Sequence, residues 1–228
     1  LETTGLFPFD KEAAAIVFAM FRYDLPDGTK IAFGFPWNYP ESPLVNHLAD
    51  LTPRLLVALY RSRIKGHNIS FDVVYTYAVL PGADIVKLTA SVIADTRHML
   101  YCLRQTKQSL GLELLAYDWA PDMAGYEEEM VMLIDAMPDL LDPSTGPTAH
   151  YARCPIDKWE THLKPYVMGD VEVVQIAHQN LKAKLASAKR YEIPLADPNK
   201  LGTFRKFAVP SREFVYENFM LPASRTLM

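Results

Sequence analysis

Apolar residues along this 228-residue chain change their period several times. Glu12 to Tyr23 and Lys30 to Trp37 are dense apolar and aromatic runs, separated by the turn residues Pro26, Asp27 and Gly28, and together they predict a β-hairpin. Leu1 to Gly5 then reads as the end of a strand entering the same sheet. Between Pro43 and Ile64 the spacing of Leu44, Leu48, Leu51, Leu55 and Leu59 predicts a helix, interrupted or restarted at Pro53. Lys65 to Asn68 reads as a short strand or turn, and Ser70 to Leu80 as a helix. Val86 to Ala94 is β-branched and apolar, which predicts a buried strand ending at Asp95 and Thr96. Short helices are expected over His98 to Gln105, Leu110 to Trp119 and Tyr126 to Met137, and a loop over Asp142 to Pro147. Ile156 to Ala188 carries a long helical pattern that begins near a bend at Pro165. From Tyr191 onward several prolines and no long period predict a connector or docking segment. Strands first, then a helix, a strand and more helices make an α/β chain with a mixed sheet flanked by α-helices.

Composition narrows the class. Half of the residues are hydrophobic and 22% are charged, enough for one substantial core. No apolar window reaches the ~18 residues of a membrane span, and the first residues have no basic start followed by an apolar run. The expectation is therefore no membrane and no secretory leader. Cys102 and Cys154 stand far apart with no metal-ligand spacing, so neither a disulfide framework nor a zinc site is expected, and an intracellular, cytoplasmic protein fits.

The net charge of −4 argues against a polybasic nucleic-acid binder, but its distribution is uneven. From Leu51 to Phe71 there is no acid, while Arg54, Arg61, Arg63 and Lys65 gather; from Gln108 to Ala149 nine acids occur with no Lys or Arg. Both stretches can be solvated faces. Lys65, close to the residues considered next, is placed to meet phosphate.

Three separated pieces carry candidate chemistry: Glu2-Thr3-Thr4-Gly5-Leu6, His67 to Asp72, and Tyr166 to Asp170. Each offers one carboxylate, and Tyr166 and Asp170 share a helix face. Carboxylates converging on one cleft repel one another. Hard divalent cations relieve that repulsion, and a pair of them serves phosphoryl chemistry.

These pieces resemble the Exo I, Exo II and Exo III motifs of the 3′→5′ exonucleases named for four acidic residues, DEDD. Glu2 to Gly5 matches the first motif from its glutamate onward, and the motif's aspartate would immediately precede Leu1. Asn68, Phe71 and Asp72 match the second motif, and Tyr166 with Asp170 the third, in its tyrosine (DEDDy) form. Asp95-Thr96 with Met99, and the stretches Leu110 to Trp119 and Gly125 to Met130, resemble the proofreading domain of phage-type family A DNA polymerases.

The resemblance implies a ribonuclease H-like fold over residues 1–188, with 189–228 a tail or connector toward a polymerase domain. It implies two Mg²⁺ or Mn²⁺ ions held by Glu2, Asp72 and Asp170, and a water-orienting Tyr166. Thr3, Leu6, Asn68 and Phe71 would contact a single-stranded or frayed DNA 3′ end, with a nucleotide monophosphate as product. The polymerase partner would stand in cis or in trans, and the compartment would be the cytoplasm, that of the host for a viral protein. An inactive exonuclease-like scaffold and an RNA-trimming enzyme are the other two readings. Taken singly the residues also have plainer roles. Asp72 suits a helix N-terminus, Asp95 a helix cap, Asp170 an exposed helix face, and Leu6 and Phe71 a core. His67, His98 and His178 share no ligand spacing.

Overall fold

The computed structural model describes residues 1–3, 8–9, 14–25, 27–39, 41–104, 111–137, 154–187, 192–196, 204–208 and 211–227. Within them the chain is mixed α/β, mostly helical with small sheets.

The hairpin forms as expected, from β2 (Ile16–Asp24) and β3 (Lys30–Pro36), in a register that sets Phe21 opposite Phe33 and Tyr23 opposite Ile31. Its turn closes where Gly28 adopts φ 84°, a left-handed conformation that glycine takes without steric cost, while the Thr29 N–H donates to Asp27 Oδ1 at 2.8 Å. Strand β1 (Glu2–Thr3) adds an antiparallel edge to β2. One hairpin face, with Phe18, Met20 and Gly34, packs on the long helix described below, where a Cβ on Gly34 would come within 3.3 Å of Val167. On the other face, helix α1 (Leu48–Arg61) buries Leu56 beside Ile16 and Trp37, and Pro53 sits inside that helix without ending it.

Strand β4 (Ile64–Gly66) pairs in parallel with β5 (Val92–Asp95), and helices α2 (Ile69–Val79) and α4 (Thr96–Arg104) leave their ends. Only the last residues of the expected Val86 to Ala94 strand extend. Helix α3 (Ile85–Ser91) occupies the rest, because the Asp84 side chain accepts the Val86 and Lys87 N–H groups at 3.0 and 3.2 Å and starts a helix there. The apolar run is explained by Leu88, which is buried, whereas Val86 faces solvent.

Helices α5 (Leu112–Trp119) and α6 (Glu128–Asp135) precede one wide π-helical turn, Trp159–Leu163, that runs into α7 (Lys164–Ser187). Pro165 falls just after this π-helical turn, and the helix continues through it. Val173, Ala177, Leu181 and Leu185, four residues apart, bury one stripe of α7 against α2, α4 and α5, and Tyr166 and Val167 enter a second cluster with β2. The segment expected as a connector holds a hairpin, β6 (Glu192–Ala196) with β7 (Phe204–Ala208), and two short helices, α8 (Arg212–Val215) and α9 (Leu221–Leu227). Tyr216 and Leu221 join the core of α4 and α7, and Arg225 donates to the Val92 carbonyl. Among the described residues no helix is long and apolar enough to cross a membrane, and Cys102 and Cys154 are free and buried.

Asp95 ties these elements together. Fully buried, its Oδ1 accepts from the N–H of Asn68 (3.1 Å) and Arg97 (2.9 Å), and its Oδ2 from Ile69 (3.1 Å), so one carboxylate caps both α2 and α4. Asp95→Ala leaves these buried donors unpaired and is expected to lower stability by about 3 kcal/mol, at roughly 1–3 kcal/mol for each group left unsatisfied, with Asp95→Asn retaining part of it. Urea unfolding followed by circular dichroism measures both.

Candidate functional site

Helix α2 begins from a corner. Asn68 takes φ 57°, and among the described residues it is the only non-glycine with a positive φ; asparagine tolerates this conformation better than most residues. The corner turns the chain from β4 into α2 and places Asp72 in the first helical turn, where the helix dipole favours its charge. The Leu1 amino nitrogen donates to Asp72 Oδ1 at 2.8 Å, so β1 ends against α2.

Tyr166 and Asp170 lie one turn apart near the start of α7, both buried. The Tyr126 hydroxyl donates to Asp170 Oδ1, and the Tyr126 and Tyr166 rings stack at 6.3 Å with 11° between planes. Gly169 makes this possible: a Cβ there would stand 2.2 Å from Tyr126 Cδ2. Tyr126 thus reaches Asp170 by lying over the one residue of that turn with no side chain.

Burial pushes the Asp170 carboxyl up from 3.8 to about 7. The Tyr126 hydroxyl and the Leu1 amino group pull it down, while Glu127 and Asp72 push it up. Glu127 is itself raised by burial and by Glu113. Four carboxylates from α2, α5, the start of α6 and α7 therefore share one negative field.

The structure brings most of the expected residues together. Leu1, Asn68, Phe71, Asp72, Tyr166 and Asp170 line one cleft of about 1160 Å³, together with Tyr126 and Glu127. Phe71 also packs toward the α1 cluster, its ring 5.3 Å from Tyr75. Thr3 is wholly buried, paired with Ile16, and does not line the cleft. Glu2 is placed by its backbone alone, opposite Phe18. Leu6 lies outside the described residues. Tyr126 and Glu127 were not among the expected site residues; their signal is the Gly-Tyr-Glu-Glu-Glu run at 125–129, which reads as an ordinary helix start.

The cleft is polarised. At the far end of α7, Lys182 lies about 18 Å from Asp170 at ~1.5 Å per residue. There Lys65 is held below its ordinary value by burial and then by Lys182, Arg63 and Arg22, against an upward pull from Asp24. His178 is driven down to about 4 by burial and then by Lys65 and Lys182. Among the described residues no group of three His, Cys, Asp or Glu side chains is gathered closely enough to hold a metal ion. Asp72 and Asp170 are oxygen donors of the kind a hard cation takes, and the charge of Asp72 acts on the desolvated Asp170 carboxyl.

No protein-family model matches this chain, and no curated protein or solved structure matches it either.

The raised Asp170 sets a pH dependence. Between its ordinary 3.8 and about 7 the folded chain keeps a proton that the unfolded chain has released, so stability falls as pH rises through that window. Thermal melts across this range, with chelator present, are expected to show a shallower fall for Asp170→Asn. Tyr126→Phe, which removes the donor to the charged carboxylate, is expected to steepen it.

Proposed function

We propose that the chain is a metal-dependent 3′→5′ exonuclease acting on single-stranded or frayed DNA ends, with a ribonuclease H-like arrangement of its sheet. The observation that carries this reading is that Asp72 and Asp170, nearly a hundred residues apart in sequence, line one cleft with Tyr166, near enough for the Asp72 charge to act on Asp170. Antiparallel β1-β2-β3 and parallel β4-β5 are separate sheets among the described residues, and the ribonuclease H-like reading requires that they belong to one mixed sheet.

Glu2, Asp72 and Asp170 would hold Mg²⁺ or Mn²⁺. Two such ions, when bound, supply positive charge at the scissile phosphate and lower the pKa of the attacking water. The rest falls to the chain's own side chains. Tyr126 donates its hydroxyl to Asp170 Oδ1 and so restrains that carboxylate before any ligand arrives. Tyr166, stacked on Tyr126 and lining the cleft, would orient a water through its hydroxyl. In the reaction a water oxygen bonds to the terminal phosphorus and the bond to the preceding 3′ oxygen breaks; that oxygen takes up a proton and a nucleotide monophosphate leaves. Phe71 and Asn68 line the approach of the strand. A polymerase domain, in cis or in trans, is the proposed partner that delivers such ends, in the cytoplasm.

The test is a 5′-labelled single-stranded DNA incubated with Mg²⁺ or Mn²⁺, using the 228-residue chain both unaltered and with an aspartate joined ahead of Leu1. The expected result is a ladder shortening from the 3′ end, abolished by chelator and reduced at least ~100-fold in Asp72→Ala and Asp170→Ala, with a smaller loss of roughly tenfold in Tyr166→Phe. No shortening from either chain in the presence of metal would return the molecule to the scaffold reading.

A further inference from the structure

The row of aromatic rings on the β2–β3 hairpin has no role in the chemistry described above, although its Tyr23 end borders the same cleft. The cross-strand register puts residues 21, 23, 31, 33 and 35 on one face, opposite to the face packed on α7. Along it Tyr23 stacks on Phe33 at 6.2 Å with 2° between planes, Phe33 on Phe35 at 6.1 Å, and Phe35 leads to Trp37 at 5.7 Å. Exposure rises along the row. Trp37 is buried under α1, whereas Phe33 and Ile31 are 40% and 44% exposed.

Charge accompanies the rings. The Tyr23 hydroxyl lies 3.0 Å from Ser62 Oγ, so Arg61 and Arg63, on either side of Ser62, flank the tyrosine end of the row. Both arginines are exposed, and the arginine ion pairs found among the described residues are made by Arg22 and Arg104 instead. The acids at this end are engaged: Asp24 accepts from Arg22 and Gln175, and Asp27 from the turn. Phe21, Tyr23, Arg61 and Arg63 line the same cleft that holds the carboxylates.

We infer that this row and its two arginines bind single-stranded nucleic acid, the bases stacking on Phe33 and its neighbours while the phosphates meet Arg61 and Arg63. Every base has a π-face, so a ring platform is tolerant of sequence, and cations beside it follow the backbone. The identity of the ligand rests on the nuclease reading; the surface itself does not use the carboxylates. It holds the strand while the end is processed.

Binding of a fluorescein-labelled oligothymidine, followed by anisotropy in chelator so that nothing is hydrolysed, tests this. Phe33→Ala is expected to weaken binding about tenfold, and Phe33→Trp to keep it. The double change Arg61→Ala with Arg63→Ala is expected to weaken binding and to reduce the salt slope by roughly 1.4, at ~0.7 for each phosphate no longer neutralised. Circular dichroism melts confirm that the variants fold. Unchanged affinity in both Phe33→Ala and the arginine pair overturns the inference. So does sedimentation as a dimer that Phe33→Ala dissociates while oligonucleotide affinity stays the same. Row-dependent binding with no shortening in metal sinks the nuclease reading and leaves the surface standing; shortening with row-independent binding does the reverse.

Discussion

The Asp95 carboxylate, buried at the end of β5, accepts N–H groups from the first residues of two different helices, and much of the molecule hangs from that arrangement. A helix start leaves N–H groups without backbone partners, and in an interior they need an acceptor. The parallel register sets Gly66 opposite Asp95, so the ends of β4 and β5 lie side by side and one anion serves both helices. The dipoles of both helices favour the same charge. The Asp95 N–H donates in turn to the Tyr216 hydroxyl at 2.9 Å, which anchors the C-terminal helices at the same point. Asp72 is three residues beyond Ile69, so its place in the cleft follows from Asp95, and the Leu1 nitrogen then meets its carboxylate there.

At the other wall the determining feature is the missing side chain of Gly169. It admits the Tyr126 ring, the ring delivers a hydroxyl to Asp170, and the hydroxyl offsets part of what burial does to that carboxyl. The cost of desolvating Asp170 remains, since Asp72 and Glu127 add to it. A fold selected for stability alone would place an apolar residue at 170. Retained buried carboxyls with neighbours of like charge are the kind of arrangement that catalysis and cation binding use.

The parts of this structure that were legible in the sequence are those with local causes. The hairpin follows from its turn residues and aromatic runs, and the shared face of Tyr166 and Asp170 from helical spacing. Asp95 reads as the cap of the helix that follows it, which it is. Its second helix was not legible, because α2 starts 26 residues earlier and only the β4–β5 pairing brings it alongside. Val86 to Ala94 misled for a related reason: a short apolar run has no period of its own, and the Asp84 cap decided the outcome. Tyr126 was out of reach because its role depends on Gly169, forty-three positions away and on another helix.

The two faces of the hairpin show how little sheet this chain needs. One face packs on α7 and fixes the helix that carries Tyr166 and Asp170; the other is covered by α1 only at its Trp37 end. Strand β1 runs antiparallel to β2, with Glu2 opposite Phe18 and Thr3 opposite Ile16, and its Leu1 end reaches Asp72. The hairpin therefore positions both walls of the cleft: β2 carries β1 to α2 on one side and packs on α7, with Tyr166 and Asp170, on the other.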